Sequence, residues 1–534
     1  MKSFTDLTPQ DLEQMDKKVL ITIIGSLQGQ LKSISSQLDF LTEQIALMNQ
    51  RTFGRKTEKL EQMHQLTLYD VFNEPELKSD DSKEPEITEV VVSSHTRKKK
   101  TRRDEQLDGI PARIFEHKLS DEELQELFPN GYKELPCEIY KRLSIIPQTF
   151  LVDEHHVHIY ASKDNDGTIK RANRPPDLFR NSIATSSLIS TIITGKFQNH
   201  LPIDRQIAYF KDNGVILKDN TLANWMIKAS DQYLLEIYNK LHEHLCGSRL
   251  LHADETPFNV IKKENPDDNK SSYMWLYRSG EREKHQVVLF DYEPGRHHDN
   301  PKRFLKDFSG TLVTDGYQAY HALANERPDI RVAGCWVHAK RRFADLLKTV
   351  NPENVAGTIS AQATKRIAEI FHLNKQLDDL SSTERRKQRR IRLKPKVNSF
   401  FDWLNESITK VPANSSVAGA INYCLNQEQY LRAFLDDGDI PMDNNRAERA
   451  IRPFTLGRKN WVNMYSERGA DASAVLYSIV ETAKANDLKV FDYINLLLTE
   501  LMEHAKDEDR SFVDNLLPWS DHVREKCSVT QKTV

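Results

Sequence analysis

Apolar residues recur at intervals of seven near the start of the chain. One series contains Leu20, Leu27, Ile34, Leu41 and Met48, and a second series, offset by four positions, contains Ile24, Leu31, Leu38 and Ile45. This is the spacing of the a and d positions of a heptad repeat, with polar residues between them. It predicts a coiled coil over residues 1–66 that self-associates through residues 20–48, with an amphipathic helix packed on its own domain as the alternative.

The apolar periodicity then gives way to a charged stretch at 67–107, which we interpret as a linker. An acidic part of it is followed by a basic run at 97–103, which could be solvated or could contact a phosphate backbone. The first residues of this run are Arg97, Lys98, Lys99 and Lys100. Residues 108–178 contain short apolar runs interrupted by Pro147 and by a turn signal at 164–167, so a small β-rich module is predicted.

A helical pattern occupies residues 179–245. Within it, residues 203–211 and 218–229 are each predicted to be helical, and the sequence between them, with Gly214, predicts a turn. This spacing is typical of a helix-turn-helix unit whose second helix reads DNA, although ordinary helical hairpins have the same pattern. We therefore predict a helix-turn-helix-like DNA-binding domain here.

Short apolar strands follow the helical region. They are predicted at 248–254, 272–278, 286–291, 310–315 and 331–336. Helix-like segments follow the later strands, which indicates an α/β domain with antiparallel strands first and parallel strands afterwards. Asp254 and Asp315 end two of the strands, and ligands of such sheets bind at the carboxyl ends of strands.

A third acidic residue, Glu448, lies in a helix predicted to begin at residue 443 or 444 and to end at Pro453. One face of that helix carries Asn445, Glu448 and Arg452. Asp254, Asp315 and Glu448 could converge as a three-carboxylate site, and carboxylates are the ligands that Mg²⁺ prefers. Two such ions about 4 Å apart can drive phosphoryl transfer. Taken singly, each acid could equally be a cap, a turn residue or a surface ion-pair partner.

Five ordered motifs contain or adjoin these acids. They are LHADETP at 251–257, TDGYQAY at 314–320, GCWVHAKRRF at 334–343, DNNRAERAIRP at 443–453 and LGRKNW at 456–461. With FGRKTEKL at 53–60 and LPW at 517–519, they resemble the insertion sequence 66 family of bacterial DDE transposases. The resemblance covers nearly the whole chain.

The resemblance implies an α/β fold with a ribonuclease-H-like catalytic core that is interrupted by a helical insertion. The implied parts are the first core segment at 246–347, the helical insertion at 348–435, the second core segment at 436–490 and a C-terminal helical tail at 491–534. It also implies that Asp254, Asp315 and Glu448 form a catalytic triad that binds two Mg²⁺ ions, for which Mn²⁺ can substitute. Such enzymes cleave transposon ends and transfer the freed 3′-hydroxyl to target DNA. Strand alternation directs Glu255 to the opposite face from Asp254, so Asp254 is the predicted ligand.

Further polar and basic residues crowd around these motifs. The residues predicted to assist the active site are His338, Asn445, Arg449 and Arg452. His338 could touch the scissile phosphate, orient a ligand or be structural. The basic run at 385–392 is the densest in the chain and could contact DNA or form a solvated helix face. The predicted DNA contacts of this region are Lys340, Arg341, Arg342, Arg385, Arg386, Lys387, Arg389, Arg390, Arg458 and Lys459.

Composition excludes several classes of protein. The 75 Lys and Arg residues and the 78 Asp and Glu residues give a net charge of −3, so the chain is not basic throughout and DNA binding must use local patches. No apolar stretch approaches the roughly 20 residues of a membrane span, and the polar start is unlike a signal peptide, so we expect a cytoplasmic protein without membrane contact. Of the cysteine pairs usual before the helical domain of such transposases, only Cys137 remains, so no zinc is expected.

The expected partners are double-stranded DNA, as transposon ends and as target, and further copies of this chain. Small accessory proteins of the same element are additional candidate partners. One alternative function is a non-catalytic DNA-binding regulator derived from a transposase, which the intact triad disfavours. Another is a metal-dependent nuclease without strand transfer, which the predicted coil and helix-turn-helix disfavour because both suggest paired-end assembly.

Overall fold

The computed structural model describes residues 120–130, 148–161, 169–262, 271–348 and 357–529, and the single residues 114, 118, 143 and 355. These residues divide into two compact units, one within residues 155–528 and the other within residues 56–154 together with residue 529. The predicted coiled coil at 1–66 and the linker at 67–107 lie outside the described residues. So do the predicted DNA contacts Arg97, Lys98, Lys99 and Lys100.

The smaller unit contains helix α1 (Asp121–Leu127) among its described residues. A capping box begins this helix: Ser120 Oγ accepts from the Glu123 N–H at 3.3 Å, and Glu123 Oε2 accepts from the Ser120 N–H at 2.8 Å. Both bonds satisfy donors that a helix start leaves free. In the larger unit, β1 (Ile159–Ala161) and β2 (Ile169–Arg171) form a short antiparallel hairpin.

A mixed sheet lies at the centre of the larger unit. Its strands are β3 (Leu250–Lys262), β4 (Ser272–Ser279), β5 (Val288–Glu293), β6 (Gly310–Thr314), β7 (Ile330–Gly334) and β8 (Asn463–Ser466). They lie in the order β5-β4-β3-β6-β7, and β8 pairs with the far end of β3. Strands β3, β4 and β5 are antiparallel neighbours, whereas β6 and β7 run parallel to β3. The predicted α/β class and the change from antiparallel to parallel strands are confirmed.

Helices follow the later strands. They are α6 (Asp299–Phe304), α7 (Gln318–Glu326) and α8 (Trp336–Leu347), and α7 connects the parallel strands β6 and β7. The outer edge of β5 is covered by α15 (Glu467–Ala485). The Ser478 and Thr482 hydroxyls of α15 accept from the Phe290 and Val288 N–H groups at 2.8 and 3.0 Å. These bonds satisfy a strand edge that would otherwise be open to pairing.

The prediction that a helix ends at Pro453 is wrong. Helix α14 (Asn445–Trp461) continues through this proline. A proline inside a helix costs about 3 kcal/mol, but the residues beyond it bury apolar surface that a helix break would expose. Phe454 is fully buried and packs against the rings of Phe258 and Tyr477.

Among the described residues of the larger unit, four α-helices precede the sheet. They are α2 (Ser186–Ile193), α3 (Ile203–Asp212), α4 (Asp219–Ala229) and α5 (Leu235–Cys246). The two helices predicted at 203–211 and 218–229 are confirmed as α3 and α4. Gly214, with φ of +84°, lies in the turn between them, where a left-handed conformation favours glycine. The first residues of α4 are exposed, whereas Leu222, Trp225 and Met226 pack inward.

In the described part of the chain between α8 and α14, there are five α-helices. They are α9 (Ile359–Lys375), α10 (Ser382–Gln388), α11 (Lys394–Ile408), α12 (Ser416–Asn426) and α13 (Glu428–Leu431). Phe400 and Phe401 of α11 join one hydrophobic cluster with Trp336 and Phe343 of α8 and with Val313 of β6. The helical segment therefore shares a core with the sheet.

The last helices of the larger unit are α16 (Val490–Glu503) and α17 (Asp521–Cys527), and α16 packs against α2. Within the described part of the chain, every helix is too short or too polar to cross a membrane.

Candidate active site

Asp254 of β3 and Asp315, which directly follows β6, lie side by side because these strands are parallel. The prediction that Asp254 ends its strand is wrong, because β3 continues to Lys262. His252 of β3 is in register with Val313 of β6. Asp254 and Asp315 each come two residues later, so their side chains emerge at one level and on one face of the sheet. Since neighbouring strands lie about 4.8 Å apart, the two carboxyl groups are close enough to interact directly.

Asp315 lies in a tight turn after β6. Its Oδ1 accepts a hydrogen bond from the Tyr317 N–H at 3.0 Å, and its carbonyl accepts one from the Tyr423 hydroxyl at 2.6 Å. Gly316 has φ of +98°, and a Cβ there would lie 3.0 Å from the Tyr423 hydroxyl oxygen. The turn therefore requires glycine, and α12, which carries Tyr423, fixes this loop from outside the sheet.

Asn444 attaches the start of α14 to β3. This residue is fully buried, its Oδ1 lies 2.9 Å from His252 Nδ1, and its Nδ2 donates to the Ala253 carbonyl at 2.8 Å. The Asn444 N–H also donates to Cys335 Sγ at 3.3 Å. These contacts hold the first turn of α14, and with it Glu448, against the part of β3 that carries Asp254. The side chain of Asp443 also contributes to the start of the helix, because its Oδ1 accepts from the Asn445 N–H at 3.0 Å.

The electrostatics of Asp254 show that the three acids interact. Burial raises the pKa of Asp254 well above its usual value, and the negative charges of Glu255, Asp315 and Glu448 raise it further. The Glu255 N–H, which donates to Asp254 Oδ1 at 3.0 Å, opposes this shift. The structure thus brings Asp254, Asp315 and Glu448 together from three separate segments.

A divalent cation fits this donor set. Crowded, partly buried carboxylates repel one another, and a bound cation would remove that repulsion. Glu448 Oε1 is a buried oxygen without a hydrogen-bond partner among the described residues. Oxygen donors of this kind suit Mg²⁺ or Mn²⁺ rather than a softer metal.

His338 and Arg341 of α8 face Glu448. His338 Nδ1 lies 3.7 Å from Glu448 Oε1, and Arg341 Nη2 lies 3.2 Å from Glu448 Oε2. Burial lowers the pKa of His338 below its usual value, although the charges of Glu448 and Asp315 oppose this effect. Arg341 was predicted to contact DNA, and in the structure it pairs with the third acid of the site.

The other residues predicted to assist the active site also lie on α14, where Asn445 precedes Glu448 and Arg449 and Arg452 follow it. Asn445 and Arg452 are half-buried, and Arg449 is exposed. On α8, Lys340 is half-buried, and the exposed Arg342 guanidinium stacks 4.8 Å from the Tyr423 ring centre. Among the described contacts, none of these side chains hydrogen-bonds Asp254 or Asp315.

Two predicted DNA contacts are wrong, because Arg385 and Arg389 point into the protein. They are only 5% and 3% exposed. Arg385 donates to the carbonyls of residues 377, 378, 380 and 438, and Arg389 to those of residues 434, 437 and 440 and to Asn374 Oδ1. Burial lowers the pKa of Arg389 to about 10, with the charge of Arg385 adding to the shift. These guanidiniums hold loops together and cannot reach a phosphate backbone.

The remaining predicted contacts differ in their availability. Arg386, Lys387 and Arg390 are exposed, although Arg390 lies 3.6 Å from an Asp436 carboxylate oxygen. Arg458 is tied to β3 through the Thr256 hydroxyl at 3.2 Å and the Pro257 carbonyl. Lys459 is exposed. Arg386, Lys387 and Lys459 therefore remain the most accessible of the described set.

A second polar network lies beside the acids and was not predicted from the sequence. The Glu255 side chain is 2% exposed and accepts from Arg296 Nε at 3.1 Å and from the Tyr320 hydroxyl at 3.0 Å. The Arg296 guanidinium stacks 3.7 Å from the Tyr317 ring centre, and the Tyr317 hydroxyl donates to the Arg296 carbonyl at 3.0 Å. Since the Tyr317 N–H also donates to Asp315, this network supports the turn that carries Asp315. Its signal in the sequence was the pair of tyrosines in TDGYQAY.

Three family models match the sequence. Residues 181–472 match the model of the Transposase IS66 family, residues 40–112 match the model called Transposase C of IS166 homeodomain, and residues 478–519 match the IS66 C-terminal element. The first match includes β3 to β8 and all three acids.

Two similar proteins agree with these matches. The uncharacterized protein y4qI of Sinorhizobium fredii is 30% identical over 398 residues, which is 71% of this chain and 70% of that protein. The uncharacterized protein y4hP of the same organism is 28% identical over 396 residues, 72% of this chain and 70% of its own length. The family predicted from the ordered motifs is thereby confirmed: this chain belongs to the IS66 transposase family.

Proposed function

We propose that this protein is a DNA transposase that cleaves transposon ends and transfers the freed 3′-hydroxyl to target DNA, with Asp254, Asp315 and Glu448 as its catalytic triad. The observation that carries the proposal is the convergence of these acids from β3, the turn after β6 and the first turn of α14. Membership of a transposase family supports the same chemistry.

We also propose that the sheet and its helices are a ribonuclease-H-like core, formed by residues 246–347 and 436–490 around the helical insertion at 348–435. Two features support it. The sheet passes from antiparallel to parallel strands, and Glu448 enters from the far side of the helical segment. Residues 108–178 would then be a degenerate zinc-binding-like module and 491–534 a C-terminal tail.

The three carboxylates would hold two Mg²⁺ ions, or Mn²⁺, which when bound stabilise the attacking and leaving oxygens of an in-line phosphoryl displacement. The residues of this chain do the rest. Asn444 fixes Glu448 relative to β3, and the Tyr317 N–H orients Asp315 through one oxygen. Arg341, with its side chain 49% exposed, can exchange the Glu448 carboxylate for a DNA phosphate. His338 lies where it could contact the scissile phosphate.

DNA binding is proposed to use two regions. The exposed start of α4 would bind in the major groove of DNA. The phosphate backbone would be contacted by Arg342, Arg386, Lys387 and Lys459. Self-association through residues 20–48 would pair two transposon ends. Small accessory proteins of the same element are further candidate partners.

The test is a cleavage and strand-transfer assay on labelled DNA that carries the repeats flanking this gene, with Mg²⁺ or Mn²⁺. We expect metal-dependent nicking at the element end and joined products, both lost in Asp315→Asn while DNA binding persists. Asp345→Asn is the matched control, because Asp345 is exposed on α8 and pairs only with nearby Lys348 among the described contacts. Normal cutting by Asp315→Asn would refute the triad, and tight end binding without any cutting would support the non-catalytic regulator.

A further inference from the structure

A second set of potential metal ligands lies against the catalytic acid of α14. Cys335 precedes α8, His338 is in its first turn, and one ligand atom from each of these residues and from Glu448 lies within 4.8 Å of the other two. The first two come from the GCWVHAKRRF motif, to which the proposed catalysis gives only a partial role. We propose that Cys335, His338 and Glu448 form a site for a thiophilic divalent cation such as Zn²⁺, and that this site competes with Mg²⁺ for Glu448.

The free atoms of this cluster face one another. His338 Nδ1 and Glu448 Oε1 are both buried, lack a hydrogen-bond partner among the described residues, and lie 3.7 Å apart. Buried polar atoms normally have partners, so two that share one small space indicate room for a shared ligand. Their other atoms, His338 Nε2 and Glu448 Oε2, face Arg341 at 3.5 and 3.2 Å.

The geometry suits tetrahedral coordination. Ligand atoms about 2.0–2.3 Å from a zinc ion lie roughly 3.3–3.7 Å from one another. The His338 and Glu448 atoms already have this separation. Cys335 Sγ needs a movement of about 1 Å or less to reach this separation. It accepts hydrogen bonds from the backbone N–H groups of Asn444, at 3.3 Å, and of His338, and because sulfur is a weak acceptor these bonds leave it able to bind a metal.

The donor atoms select a different metal from the triad. Thiolate, imidazole and carboxylate together favour Zn²⁺ or Co²⁺, whereas Mg²⁺ favours oxygen ligands. Binding would release the thiol proton of Cys335 to solvent, and a water molecule would complete the coordination by the three side chains. Since Glu448 belongs to both sets, a cation held by Cys335 and His338 withdraws it from the carboxylate site. This consequence for catalysis rests on the proposed function, whereas the binding itself does not.

The test uses Co²⁺ as a probe on the full-length protein. We expect a thiolate-to-cobalt charge-transfer band and the visible bands of tetrahedral cobalt, both removed by stoichiometric Zn²⁺. Cys335→Ser should abolish the charge-transfer band, and Cys424→Ser, at another buried cysteine, should retain it. Cys137→Ser should also retain it. Absence of the band in the native protein, or its persistence in Cys335→Ser, would overturn the site.

Two further measurements keep the inference testable if Cys335→Ser fails to fold. His338→Gln should weaken Co²⁺ binding by at least roughly tenfold, since loss of even an outer partner of a metal site has that effect. Excess Mg²⁺ should raise the apparent Kd for Co²⁺ in the native protein but not in Asp315→Asn, in which the competing carboxylate site is impaired. A Co²⁺ site that Mg²⁺ leaves unchanged would contradict the competition. A protein that binds Co²⁺ as expected but never cleaves DNA would instead contradict the proposed function.

Discussion

Two charged regions of the larger unit differ in how their charges are satisfied. The acids Asp254, Asp315 and Glu448 converge with few hydrogen-bond partners, and one oxygen of Glu448 has none in the described structure. In the basic run at 385–392, by contrast, Arg385 and Arg389 donate to loop carbonyls and an amide with nearly every nitrogen. The first region therefore has binding capacity left for a ligand, whereas the inner part of the second is already saturated. Density of charge in the sequence does not distinguish these cases, but hydrogen-bond satisfaction does.

The largest stability effect should come from the saturated region. Arg389→Met keeps much of the side-chain volume but leaves the carbonyls of Phe434 and Ile440 buried without donors, which should cost about 3–5 kcal/mol. Arg386→Met, three residues away on the exposed face, should change the free energy of unfolding by less than about 0.5 kcal/mol. Urea unfolding followed by circular dichroism measures both. Equal midpoints for the two variants would mean that Arg389 is not structural.

The next largest effect on stability should come from Asn444, which links the start of α14 to β3. Asn444→Ala removes the bonds to Ala253 and His252 and should destabilise the protein by about 2–3 kcal/mol. It should also weaken Mg²⁺ binding, because the first turn of α14, which carries Glu448, is then held less firmly against the strand of Asp254. Isothermal titration with Mg²⁺ measures this second effect. Asn460→Ala serves as the control, since that exposed amide binds only the distant His200 carbonyl among the described contacts. Unchanged Mg²⁺ affinity in Asn444→Ala would separate Asn444 from the site.

The sequence predicts more of the acidic site than of the contacts made by the basic run. Asp254 lies in β3 and Asp315 directly follows β6, its parallel neighbour in the sheet, and parallel register is enough to bring such residues together. Glu448 followed from a local helical pattern and from its family motif. The burial of Arg389 depends on carbonyls about 50 positions away in the chain, and the contacts of Asn444 span about 190 positions. No periodicity or spacing encodes such distant pairs, so burial of a charged or amide side chain required the fold itself.

Repulsion among the acids should make the charged form of Asp254 destabilising in the metal-free protein. The pKa of Asp254 is higher in the folded state than the unfolded value of about 3.9, so the folded state binds the extra proton, and stability falls as pH rises through the raised pKa. Asp254→Asn should therefore stabilise the metal-free protein by about 1–2 kcal/mol at neutral pH and have no effect below about pH 4. Thermal unfolding against pH measures the difference. A gain that is the same at every pH would assign it to packing rather than to charge.

The smallest effect on stability should come from the ion pair between Arg341 and Glu448. Arg341 and Glu448 are both partly exposed, so Arg341→Gln should change stability by less than about 1 kcal/mol. Its expected signature lies in binding. If Arg341 transfers from Glu448 to a DNA phosphate, the variant should lose about one unit from the slope of log affinity against log salt. Fluorescence anisotropy on labelled DNA at several salt concentrations measures that slope. Arg331→Gln is the matched control, because Arg331 pairs with Asp436 and not with an acid of the triad. Equal slopes for the two variants would leave Arg341 as a partner of Glu448 alone.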